Sequence, residues 1–116
     1  MKFERIAVGL VVYFSISLHA KAQVGNIIEG AQQFIYKETA QAKLVLNAFF
    51  PSVAEHNTKR KSPAVVFFFG GGWKGGDPNQ FASHCRYLAS RGMVAMSADY
   101  RVNSRQQTTP FECVKD

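Results

Sequence analysis

Residues 65–77, Val-Val-Phe-Phe-Phe-Gly-Gly-Gly-Trp-Lys-Gly-Gly-Asp, constrain the fold of this chain more than any other stretch. Two β-branched and three aromatic residues run straight into a glycine cluster. A short apolar run ended by Gly reads as a strand buried on both faces, as in a parallel sheet. The glycines let the backbone turn sharply and let a ligand approach main-chain N–H groups without Cβ obstruction. The stretch therefore delivers a nest of backbone donors, suited to a phosphate or to the oxyanion of an ester under attack.

The flanking residues supply the elements around it. Asp77-Pro78-Asn79-Gln80 predicts a helix start. Asp77 accepts from the first N–H groups, Pro78 takes the first helical position, and Gln80 closes a capping-box-like arrangement. Phe81, Cys85, Leu88 and Ala89 recur at helical spacing until Gly92. Met93–Ala98 reads as the next strand and ends at Asp99-Tyr100-Arg101, which completes a strand–helix–strand unit. Upstream, Phe34–Lys37 and Ala42–Phe49 read as an antiparallel pair at a sheet edge. Gln23–Gln33 is a weakly patterned lead-in, and Ser52–Pro63 is a polar loop. Thr109-Pro110-Phe111-Glu112 opens a second helix with a capping-box signature. Its apolar face has no sequence left in which to form, and Val65–Phe69 is given a parallel neighbour on one edge only. The expectation is an α/β chain whose residues 23–116 are the front part of a larger domain.

Bulk properties exclude several classes. The 116 residues allow one small domain, and 47% apolar with 19% charged residues is ordinary for a globular chain. Two of the six net positive charges lie in residues 1–22. The remaining basic residues are scattered, apart from Lys59-Arg60-Lys61 beside Ser62-Pro63. That triplet reads as a solvated loop, so no nucleic-acid partner is expected. Met1–Arg5 is short and basic, Ile6–Leu18 is apolar, and Ala20-Lys21-Ala22 offers a small-x-small cleavage site before Gln23. The apolar run is shorter than the ~20 residues a membrane-spanning helix needs. Residues 1–22 are thus expected to be a signal peptide directing secretion or periplasmic export, with no stable membrane anchor. Cys85 falls on an apolar helix face, so Cys85 and Cys113 read as structural thiols, with a disulfide as the alternative. No metal-ligand spacing occurs.

The glycine cluster admits more than one chemistry. Gly70-x-Gly72-x-x-Gly75 matches the dinucleotide fingerprint, with Asp99 at the end of the next strand as the ribose-binding acid of an oxidoreductase. Against it stand the late helix start at Asp77-Pro78, the bulk of Trp73 and the exported setting. A Walker loop fails, because Gly76 occupies the lysine position. The alternative is an oxyanion hole. Phe69-Gly70-Gly71-Gly72-Trp73, Ser90-Arg91-Gly92-Met93-Val94 and Asp99-Tyr100-Arg101 occur here in order. Together they make the chain resemble the α/β-hydrolase superfamily, in particular the esterase/lipase branch related to hormone-sensitive lipase. The family's His-Gly-Gly-Gly-Trp motif lies between its third strand and first helix.

That resemblance implies a carboxylic-ester hydrolase. Gly71 and Gly72 would donate to the oxyanion, with Gly70 and Trp73 as loop support or substrate pocket. Trp73 either lines the acyl pocket or buttresses the loop. Phe69 replaces the motif's His, so packing takes over from hydrogen bonding. Asp77 and Asp99 would cap and brace. No Gly-x-Ser-x-Gly elbow lies between Gln23 and Asp116, and the family's order of Ser, acid and His places all three beyond Asp116. His56, His84 and Ser97 have no partners with which to substitute for them. No cofactor or metal is implied, and the substrate would be a small-molecule or polysaccharide-linked ester. A non-catalytic hydrolase-like protein is the third reading.

Overall fold

Val65, Val66, Phe67 and Phe68 are β-branched or aromatic, the types that sit best on a pleated surface, and they form the expected strand. The computed structural model describes residues 23–24, 27–52 and 61–116. The expected signal peptide, Lys59, Arg60 and His56 lie outside these residues. Five strands form one mixed sheet: β1 (Gln23–Val24), β2 (Gln32–Glu38), β3 (Ala42–Phe49), β4 (Ala64–Phe68) and β5 (Val94–Ala98). The order is β2–β3–β5–β4, with β1 running parallel to the first residues of β3. The β2–β3 pair is antiparallel as expected, with Phe34 opposite Leu46, and a bulge between Ile35 and Lys37 shifts the register. β3 and β5 are antiparallel, whereas β4 and β5 are parallel, with Val66 beside Met96. The architecture is α/β.

One expectation about the central run is corrected. β4 is not buried on both faces: Val66 and Phe68 are 42% and 65% exposed, while Val65 and Phe67 are half-buried. Among the described residues only β5 pairs with β4, and no described element covers the face that carries Val66 and Phe68. The aromatic run records the strand correctly, but it cannot specify which neighbours are at hand.

The crossover between β4 and β5 packs on the other face. Asp77 caps the N-terminus by accepting from the Asn79 N–H at 2.7 Å, with Pro78 in the first turn as expected. That turn is a 3₁₀ segment, Pro78–Phe81, which leads into α1 (Ala82–Ser90). Gln80 does not complete a capping box; its side chain reaches the glycine loop instead. Gly92, at φ +86°, ends the helix where the sequence places the stop. Ala82, Cys85 and Ala89 bury against Ile28, Phe49 and Ala95, with Phe67 stacked on Phe81 at 4.8 Å.

A buried polar seam runs under this core. The Asn47 side chain donates to the Ser97 carbonyl and accepts from the Gln33 amide at 2.8 Å. The Ser97 hydroxyl, fully buried, donates to the Pro78 carbonyl at 2.7 Å and pins the turn that opens α1. Ser97 is thus a packing residue. Ser97→Ala strands that carbonyl without its donor and is expected to lower stability by about 1–2 kcal/mol in urea unfolding.

Beyond β5 the chain forms α2 (Asn103–Gln106) and α3 (Pro110–Cys113). The Thr109–Glu112 capping box is present, with Glu112 accepting from the Thr109 N–H and hydroxyl at 2.8 Å. Cys85 and Cys113 are both buried free thiols, as favoured over a disulfide.

Candidate active site

The glycine loop joins β4 to the first helical turn, and its backbone is unusual. Gly71, Gly72 and Trp73 have φ of +145°, +59° and +60° in succession. Glycine adopts such values freely, but tryptophan does not, and a side-chain residue held there stores of order 1–3 kcal/mol of strain. The loop is therefore held by its surroundings. The Lys74 N–H closes onto the Gly71 carbonyl at 3.1 Å. The Gly70 N–H donates to the Gln80 side chain at 2.8 Å. Among the described residues, the N–H groups of Gly71 and Gly72 donate to nothing. Both glycines line an open cavity of about 380 Å³, walled by Phe68, Trp73, Tyr100 and Val114.

Phe69, in the position of the motif's His, is 2% exposed and stacks on Tyr100 with ring centroids 4.1 Å apart. The Tyr100 hydroxyl donates to the Phe69 carbonyl. Burial, with Cys113 and Asp99 nearby, pushes the Tyr100 hydroxyl up against the pull of Arg105, so it stays protonated as a donor. The carbonyl at the mouth of the loop is thus fixed by Tyr100 while the Phe69 ring is fixed by stacking.

The sequence-derived residues fall into two groups. Gly70, Gly71, Gly72 and Trp73 are together at the cavity. Asp77 and Asp99 cap and brace as expected. Asp99 is 3% exposed, and both of its carboxylate oxygens are taken by Arg105, at 2.7 and 3.1 Å. An acid so engaged is not presented to a ribose. This removes the ribose-binding support of the dinucleotide reading, and the helix begins only at Pro78, beyond the fingerprint glycines, as the objection to that reading expected. His84 lies on the exposed side of α1, edge-on to Phe81 at 5.6 Å. Among the described residues no group of three or more His, Cys, Asp or Glu could hold a metal.

Sequence reasoning missed Arg105 and α2. The four residues of α2 have no apolar period and no side-chain cap, and Gln107 ends the helix at φ +56°, so no pattern announces it. The available signal was a lone basic residue six positions after the acid that ends β5.

No protein-family model matches the chain. Its described fold superposes on a thermophilic esterase from the Planctomycetes species Thermogutta terrifontis. The TM-score is 0.69 at 44% identity, over 76% of this chain and 31% of that one. The apo form of the same esterase 2 gives 0.70 at 43% identity, over 78% and 33%. A neuroligin-like protein of Caenorhabditis elegans, glit-1, is 39% identical over 61 residues, which are 53% of this chain and 8% of its own. The chain thus spans about a third of the length of the esterase it resembles. Its sheet is part of an α/β-hydrolase sheet of the esterase/lipase kind. The likeness does not single out the hormone-sensitive-lipase branch.

Proposed function

We propose that residues 23–116 are the oxyanion-loop portion of an exported serine carboxylic-ester hydrolase, with Gly71 and Gly72 as the donors. The observation that carries this reading is the pair of unengaged glycine N–H groups at the cavity, on a backbone 44% identical to an esterase. A solved form of that esterase is phosphorylated by paraoxon, which supports an activated nucleophile in the parent enzyme. Forms with propionate and with butyrate bound support a short acyl group as substrate. The absence of a Gly-x-Ser-x-Gly segment from residues 23–116 supports a triad carried beyond Asp116.

The reaction would run as follows. The serine hydroxyl attacks the acyl carbonyl carbon while His takes its proton and an acid orients the His. The carbonyl π pair moves onto oxygen, and the Gly71 and Gly72 N–H groups receive the resulting anion. Collapse expels the alcohol, protonated by His, and water then releases the acid by the same route. The loop's share is electrostatic. Losing one such donor typically lowers kcat by about 10²–10³-fold.

The test is expression of the reading frame beyond Asp116 alongside the 116-residue chain, assayed with p-nitrophenyl acetate and butyrate. The longer polypeptide should hydrolyse both and be silenced by paraoxon, while the 116-residue chain should do neither. Hydrolysis by the short chain would refute the placement of the triad, and a paraoxon-insensitive longer polypeptide would refute the serine mechanism. Cleavage after Ala22 is checked by a mature N-terminus at Gln23.

A further inference from the structure

The helix α2 takes no part in the chemistry above, yet it grips the glycine loop from two directions. Its first N–H groups hold the outgoing side: Asn103 donates to the Trp73 carbonyl at 2.9 Å and Ser104 to the Lys74 carbonyl at 2.8 Å. Its last turn holds the incoming side, because the Arg105 guanidinium lies over the Phe69 ring, 5.7 Å from the centroid. The same guanidinium grips Asp99 with both arms and donates to the Tyr100 carbonyl at 3.0 Å. Tyr100 in turn stacks on Phe69 and donates to its carbonyl. The Phe69 ring also governs the loop's far end, since a Cβ on Gly76 would meet it at 2.5 Å. One side chain therefore touches Phe69, Asp99 and Tyr100, which together with the Gln80 bond to Gly70 fix where the loop begins, and its helix holds where the loop goes.

We propose that Arg105 is a positioning residue for the Gly70–Trp73 loop, acting through Phe69, Asp99 and the α2 backbone to hold the Gly71 and Gly72 donors in place. The purpose of that hold rests on the oxyanion reading, but the hold itself does not. Arginine is required because its planar fork binds a carboxylate with two parallel bonds while its face lies on an aromatic ring. A lysine ammonium has three donors but no planar face, so it cannot bind both carboxylate oxygens in parallel while lying flat on the ring. The strained φ of Trp73 is consistent with this clamp, since a left-handed tryptophan persists only where neighbours over-determine it.

Trp73 is the chain's single tryptophan, so its fluorescence reports the loop alone. The experiment compares the 116-residue chain with Arg105→Met and Arg105→Lys, by acrylamide quenching of Trp73 and by amide hydrogen exchange. Arg105→Met should roughly double the quenching constant and speed exchange at residues 71–74 and 103–104 about tenfold, with β5 amides changed less than about twofold. Arg105→Lys should fall between the two. Unchanged quenching and loop exchange in folded Arg105→Met overturns the proposal. So does equal acceleration in the loop and β5, which would make Arg105 a general stabiliser. Should Arg105→Met fail to fold, the unsubstituted chain decides. Its residues 71–74 and 103–105 should open as one unit with a common denaturant slope, and independent opening overturns the proposal. None of these readouts uses ester hydrolysis, so failure of the clamp and failure of the oxyanion reading are separable.

Discussion

Gly71→Ala is expected to break the glycine loop, whereas Gly72→Ala one residue on is expected to leave it nearly intact. Both glycines have positive φ, so both substitutions incur the cost of a left-handed side chain, of order 1–2 kcal/mol. They differ in what the new methyl group meets. At Gly71 it would lie 2.0 Å from the Gly75 carbonyl oxygen and 2.8 Å from its carbon; at Gly72 nothing lies within 4 Å. The obstacle at Gly71 is backbone, so it cannot rotate aside as a side chain would. Relief requires the 71–75 turn to open, which breaks the bond from the Lys74 N–H to the Gly71 carbonyl. In the 116-residue chain, Trp73 emission and quenching should shift for Gly71→Ala and stay close to the parent for Gly72→Ala. On the proposed oxyanion role, Gly71→Ala in the longer polypeptide should lower kcat by about 10²–10³-fold with a much smaller change in KM, because the displaced donor would act on the transition state. Gly72→Ala keeps its N–H and should lose less than about tenfold, the equivalent of ~1.4 kcal/mol. Equal losses for the two would show that conformational strain, not the clash with Gly75, governs the loop.

This contrast marks the limit of what the amino-acid sequence discloses. The strand, the glycines, the Asp77-Pro78 start and the stop at Gly92 are local signals, each carried by residues a few positions apart, and each is realised. Thr109 and Glu112 cap their helix for the same reason. The failures are non-local. Gln80 has the right spacing for a capping box, but the Gly70 N–H is nearby and takes its side chain. Phe67 and Phe68 look alike in a list of letters, yet one packs on Phe81 and the other faces outward. Which of three consecutive glycines cannot bear a methyl group depends on where the Gly75 carbonyl falls. Arg105 carries no motif, and its importance comes entirely from folding Asp99, Tyr100 and Phe69 around it.

Removing the Asp116 carboxylate is expected to cost about 3 kcal/mol, at the lower end of the range for breaking a buried ion pair. Its side chain has no exposed surface, and Arg101, its main partner, is 13% exposed. Asp116 accepts from the Arg101 backbone N–H at 3.0 Å, from Nε at 2.9 Å and from Nη2 at 2.8 Å, and Lys37 Nζ lies 3.2 Å away. Asp116→Asn keeps one acceptor oxygen but removes the carboxylate bonded to Arg101, leaving it only the longer-range pull of Glu112. Gln41 Oε1, at 2.9 Å from Nη1, is then its best remaining side-chain partner. The tie matters to the cavity as well, since Asp116 and Val114 line it while Lys37 anchors that segment to β2.

The same carboxylate gives this prediction a pH signature. Burial alone would raise the Asp116 carboxyl, but hydrogen bonds from the Arg101 side chain and backbone and from Lys37 outweigh it and hold the group below its ordinary value of 3.8. A carboxyl depressed in the folded state contributes stability that is complete above the unfolded value and is lost as pH falls through the folded one. The gap in unfolding free energy between the unsubstituted chain and Asp116→Asn should therefore be constant from pH 7 to about pH 5, then close below about pH 4. Glu112 is also held low, chiefly by its bonds from Thr109 and to a lesser extent by Arg101; it is present in both chains, so only the part of its shift that passes through Arg101 enters the difference. Urea unfolding of the two chains between pH 2 and pH 7 measures that gap. A gap that persists unchanged to pH 2 would mean that Asp116 acts through shape and hydrogen bonding alone and that its charge contributes nothing to holding α3 against the sheet.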